Sequence, residues 1–98
     1  MRDDTLRPVE MAVTRLARRK RPDLVAQRPA GVEGLVWDAL VLEHPRALQV
    51  KDVQALTDLG KASACKAVGR LHKRGLVAGY RVPGHPTGYR MAYHLVAA

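Results

Sequence analysis

The chain has 98 residues, room for one modest core and too little for a catalytic domain joined to a regulatory one. Seventeen Lys and Arg against nine Asp and Glu leave a formal charge of +8, and a pI near 10.4 favours a polyanionic partner, nucleic acid first and an acidic lipid surface second. No apolar run approaches the roughly 20 residues that span a bilayer, and Met1-Arg2-Asp3-Asp4 leads into no apolar signal core, so a cytoplasmic protein without membrane partners is expected.

Residues 5–20 place Leu6, Val9, Val13, Leu16 and Ala17 at helical spacing, which predicts an amphipathic helix. It runs into the basic cluster Arg15, Arg18, Arg19, Lys20 and Arg21 and ends at Pro22, because a residue preceding proline is pushed out of helical geometry. Pro29, Gly31 and Gly34 then interrupt any periodicity, so residues 23–34 read as a linker with at most one helical turn. The compact domain is expected to start there, dividing the chain into 1–30 and 31–98.

Val36, Trp37, Ala39, Leu40 and Leu42 make residues 33–43 a strongly apolar helix that His44-Pro45 terminates. Ala47-Leu48-Gln49 fits one short strand. Residues 51–57 fit a second helix with Val53 and Leu56 inward, and Asp58-Leu59-Gly60 a tight turn. Residues 61–74 form a third core helix with Ala64, Ala67, Val68 and Leu71 on its buried side, closed by Gly75. Its other face carries Lys61, Ser63, Lys66, Arg70 and Lys73.

Alternation then groups Leu76, Ala78, Tyr80 and Val82 on one face of a strand, and Tyr89, Met91, Tyr93 and Leu95 on one face of another. Pro83-Gly84-His85-Pro86-Thr87-Gly88 between them predicts a hairpin tip. The whole is an α+β fold, mostly α, with a three-helix core, a C-terminal hairpin and an extra N-terminal helix.

Residues 33–96 resemble a winged helix-turn-helix, most closely at Val50-Lys51-Asp52-Val53-Gln54-Ala55-Leu56, through Leu59-Gly60, to Val68-Gly69-Arg70-Leu71-His72-Lys73-Arg74-Gly75-Leu76-Val77. The leucine-to-glycine exit is similar to that of MarR-type and ArsR-type transcriptional regulators. The resemblance implies sequence-specific binding of double-stranded DNA, with helix 61–73 in the major groove and the 78–96 hairpin as a wing. Lys61, Ala62, Ser63 and Lys66 would then meet base edges, Arg70 a base or a phosphate, and Lys73 a phosphate. Arg81, His85 and Arg90 are the wing candidates.

The N-terminal basic cluster has three readings: a phosphate-contacting arm, a helix end beside DNA in a dimer, or a solubilising tail. Leu6, Val9, Val13 and Leu16 form a stripe that suits either a homodimer seam or packing onto their own domain; with the chain ending at Ala98, a dimer is expected to use this N-terminal helix. The Asp-x-Arg wing signature and the Cys-x-Cys metal box of the two regulator types are both missing, so no sensor or small-molecule effector is carried over. Cys65 is read as a packing residue or a redox handle. One cysteine and His44, His72, His85 and His94 without ligand spacing predict neither metal nor cofactor.

No phosphate loop, nucleophile–base pair or close carboxylate pair points to an enzyme. Two other classes stay open: an RNA- or ribosome-associated winged helix that reads shape, and a protein-interaction module whose charge only aids solubility.

Overall fold

The computed structural model describes residues 11–83 and 90–96. Residues 5–10 of the expected N-terminal helix lie outside them. Helix α1 (Ala12–Lys20) buries Val13, Thr14 and Ala17 along one side, and Arg18, Arg19 and Lys20 in its last turn suit the negative end of the helix dipole. Pro22 lacks the N–H that would continue α1, and its fixed φ instead opens the single turn α2 (Pro22–Val25).

Helix α3 (Val32–Glu43) is the centre of the molecule. Gly34 and every residue from Val36 to Val41 are buried, so the helix needs cover on all sides. Helix α1 runs parallel along one side, since Thr14 meets Asp38 and Lys20 reaches the carbonyls of Leu42 and His44. Helices α4 and α5 and strand β3, described below, cover the rest.

The segment expected as a linker is part of this packing. Leu24 and Val25 are buried, and the Trp37 indole N–H donates to the Leu24 carbonyl at 2.8 Å. Arg28 folds back over α3, where its Nε donates to Oδ1 and Oδ2 of Asp38, each at 3.0 Å, and its Nη2 lies 2.8 Å from Oδ2. The Thr14 hydroxyl adds a donor at 2.6 Å. Gly34 permits the close crossing, because a Cβ there would run into the Pro29 carbonyl and the Arg28 guanidinium. One continuous core runs from Val13 through Leu24, Trp37 and Leu71 to Leu95, so the boundary expected near residue 30 does not separate two cores.

Strand β1 (Leu48–Gln49) leads into α4 (Val50–Thr57), whose Asp52 carboxylate accepts the Gln49 N–H at 3.0 Å and satisfies one amide at the helix start. Asp58, at φ 64, ends α4 in the left-handed region. Helix α5 (Lys61–Lys73) follows and closes in a Schellman motif: the Gly75 N–H donates to His72 and the Leu76 N–H to Leu71, both at 3.0 Å. Gly75 sits at φ 75, where a Cβ is strained. Gly75→Ala is therefore expected to lower stability by about 1 kcal/mol, read as a lower midpoint in urea unfolding; a midpoint equal to the wild type's would contradict this cap.

Strands β2 (Val77–Val82) and β3 (Arg90–Leu95) complete a three-stranded antiparallel sheet in the order β1-β3-β2. Val77 pairs with Leu95, Gly79 with Tyr93 and Arg81 with Met91, while Leu48 pairs with Tyr93 from the other edge. These residues share one face, on which Leu48, Val77 and Leu95 are buried and Arg81, at the far end, is exposed. Met91, Tyr93 and Leu95 share one face of β3, as expected, although Ala92 on the other face is also buried; Tyr89 lies outside the described residues. On β2 the phase differs: Ala78, Tyr80 and Val82 share the outer face, and Tyr80 is 51% exposed. Leu76 is taken up in closing α5, so the inward set starts one residue later and alternation carries the rest outward.

Candidate nucleic-acid interface

Helix α5 turns about once every 3.6 residues, so its buried side fixes where every other side chain stands. With Ala64, Ala67, Val68 and Leu71 inward, the outermost line carries Ala62, Lys66, Gly69 and Lys73. Ser63, Arg70 and Arg74 run along one flank, and Lys61, Cys65 and His72 along the other. All ten are exposed. Lys61, Ala62, Ser63, Lys66, Arg70 and Lys73, the six residues expected to read DNA, thus lie on one rigid helix, but only Ala62, Lys66 and Lys73 hold its outermost line.

The two flanks differ. The first faces the start of α3, where Glu33 accepts a hydrogen bond from Arg74 Nη1 at 3.0 Å and stands 3.8 Å from Arg70 Nη1. Arg70 therefore shares a carboxylate with Arg74, a restraint that sequence reading missed because it joins residues far apart in the chain. Both arginines are more than half exposed, so the pairing orients them more than it stabilises the fold.

The second flank faces the sheet, where the His72 and Tyr93 rings meet edge to face with centroids 5.9 Å apart. A cavity of about 310 Å3 opens between the heads of α4 and α5 and strand β3, lined by Gln49, Val50, Lys51, Lys61, Cys65, Met91 and Tyr93. Among the described residues its lining includes two lysines and no carboxylate. Gly60 supplies no capping side chain to α5 and no acidic residue sits in its first turn, so neither satisfies the amides at that positive helix end. An anion suits this place, and Lys51 belongs to it although sequence reading passed it over. Cys65 is exposed on this flank and so does not pack in the core.

The other candidates separate. Lys20 donates to the carbonyls of Leu42 at 2.7 Å and His44 at 2.8 Å, capping the C-terminal end of α3, while its side chain stays exposed. Arg21 makes a two-point contact with Asp23, at 3.1 and 2.9 Å, and is likewise engaged. The hydrogen bond from Arg21 holds the Asp23 carboxyl below its ordinary range, and the same bond raises the Arg21 guanidinium. Arg15, Arg18 and Arg19 are exposed on α1, the first two already engaged in interactions of their own. This helix packs on α3, so its cations are not part of the α5 face.

On the hairpin, Arg81 is exposed and also engaged, and Arg90 opens β3 opposite Val82. The Arg90 side chain and His85 lie outside the described residues. The apolar stripe on the first helix is divided: Val13, 4% exposed, belongs to its own core rather than to a second copy, whereas Leu16 is 47% exposed. Leu6 and Val9 lie outside the described residues.

Among the described residues no group of three or more His, Cys, Asp and Glu is arranged to hold a metal ion, and no helix is long and apolar enough to cross a membrane. Comparison with known proteins finds no matching family model, no matching curated protein and no matching solved structure.

Proposed function

We propose that this protein is a winged helix-turn-helix that binds double-stranded DNA sequence-specifically and serves as a transcriptional regulator, with α5 in the major groove and the β2–β3 hairpin as wing. The observation that supports this most is the outer line of α5, where Lys66 and Lys73 project from a helix whose opposite side is anchored by Ala64, Ala67, Val68 and Leu71. A helix of this diameter fits the major groove. The order α3, β1, α4, turn, α5, β2, β3 supports the same reading.

Within it, Ala62, Ser63 and Lys66 near the head of α5 face base edges. Lys73 takes a phosphate. Arg70 reaches the duplex from the flank, where it must leave Glu33. Lys51 and Lys61, with the open amide end of α5, form a second phosphate seat at the edge of the groove.

The test is a salt titration of duplex binding with structured RNA as competitor. With about four cations meeting phosphates, affinity should fall roughly a hundredfold between about 50 and 200 mM salt. RNA that competes as well as the selected duplex would favour shape-based RNA binding instead. Lack of affinity for either polymer at about 100 mM salt would reject nucleic acid altogether and leave a protein-interaction module.

A further inference from the structure

We infer that Gly69 is the point at which the α5 backbone comes closest to bound duplex DNA, so that its missing side chain serves the partner and not the fold; this rests on the DNA-binding reading above. A glycine inside a helix is less stable than an alanine, because its backbone loses more conformational freedom on folding. Such a residue survives inside a fold where a neighbour leaves no room for a Cβ, as Arg28 and Pro29 do at Gly34. Gly69 has no such neighbour among the described residues: none of them lies within 4 Å of a Cβ placed there. Its φ is not among the positive ones either. Packing among the described residues and the backbone conformation at Gly69 therefore both leave the position open to alanine.

What surrounds Gly69 is charge. Lys66 and Lys73 precede and follow it on the same outermost line of α5, and Arg70 stands beside it on the flank toward Glu33. A bare stretch of backbone bordered by cations fits a polyanion that presses onto the helix, with Lys66 on base edges and Lys73 on a phosphate while the groove receives the helix itself. A side chain at this position would stand between helix and groove and lift Lys66 and Lys73 away from their contacts. The geometry thus couples the two properties with opposite signs, stability favouring a side chain at 69 and binding opposing one.

Gly69→Ala and Gly69→Gln, made in the full chain, test this by thermal unfolding and by anisotropy titration of a labelled duplex that the wild-type protein has selected from random sequence. Both variants should melt higher, by about 3–8 °C. Both should also bind more weakly, Gly69→Gln by about tenfold or more and Gly69→Ala by less. Unchanged affinity in both variants overturns the inference and leaves DNA binding standing. A lower melting temperature also overturns it, by showing that the glycine serves the fold. So does a wild-type oligomer that Gly69→Gln converts to monomers with affinity per protomer unchanged, for then a second copy sits at this position. Failure of the wild-type protein to select any duplex defeats the DNA-binding reading itself, before any substitution is made.

Discussion

Replacing Lys66 with alanine is expected to weaken binding to a selected duplex by on the order of 1 to 3 kcal/mol, and to relax the base preference at the position it contacts. Lys66 stands on the outermost line of α5, exposed and with Ala67 and Val68 behind it in the core, so truncation removes a cation without opening a cavity. Its melting temperature should accordingly stay near that of the wild type. Lys73→Ala makes a useful contrast, because a phosphate contact carries no sequence information: affinity should fall about equally on every duplex, with a salt slope shallower by about 1. Arg70→Ala should cost less than Lys66→Ala, since Arg70 gives up its contact with Glu33 in order to reach DNA. Titrating the three variants against one duplex at two salt concentrations separates these roles. Wild-type affinity in both Lys66→Ala and Arg70→Ala would reject this docking.

The second large effect belongs to the fold. Asp38→Ala should destabilise the protein by about 3 kcal/mol or more, because it leaves the Arg28 guanidinium and the buried Thr14 hydroxyl facing an empty place where a carboxylate accepted their hydrogen bonds. Asp38 is 0% exposed while Arg28 keeps a side-chain exposure of 31%, so water recovers part of the loss on the arginine side only. For a domain of this size the melting temperature should drop by roughly 12 °C or more, measured by circular dichroism. Asp38→Asn, which keeps an acceptor for Thr14, should fall between. A loss below about 1 kcal/mol would mean that this carboxylate does not tie α1 and the residue 28 crossing to α3.

This network shows how much a close reading of residues can miss. An aspartate between Trp37 and Ala39, inside an otherwise apolar helix, is a signal in itself, since a buried carboxylate requires partners. Its partners are not readable from spacing. Thr14 lies 24 residues away and Arg28 lies 10 residues away across a proline. The apolar character of α3 on every side carried a related message, for helices 51–57 and 61–74 by themselves could not cover it all round. The N-terminal helix had to belong to the core.

Repetition along one element was enough to read the helices in order, the inner and outer sides of α5, the stop at Gly75 and the strong positive charge. Each of these follows from side chains a few residues apart on the same helix or turn, where geometry is local. The path of the chain settled the rest. It gave Lys20 to the carbonyls at the end of α3, set Glu33 beside Arg74 across 41 residues, shifted the inward phase of β2 to Val77, and brought Lys51 next to Lys61. A cation on a helical wheel is free to meet any acceptor, and which one it meets depends on how distant segments pack, a quantity that no local spacing contains.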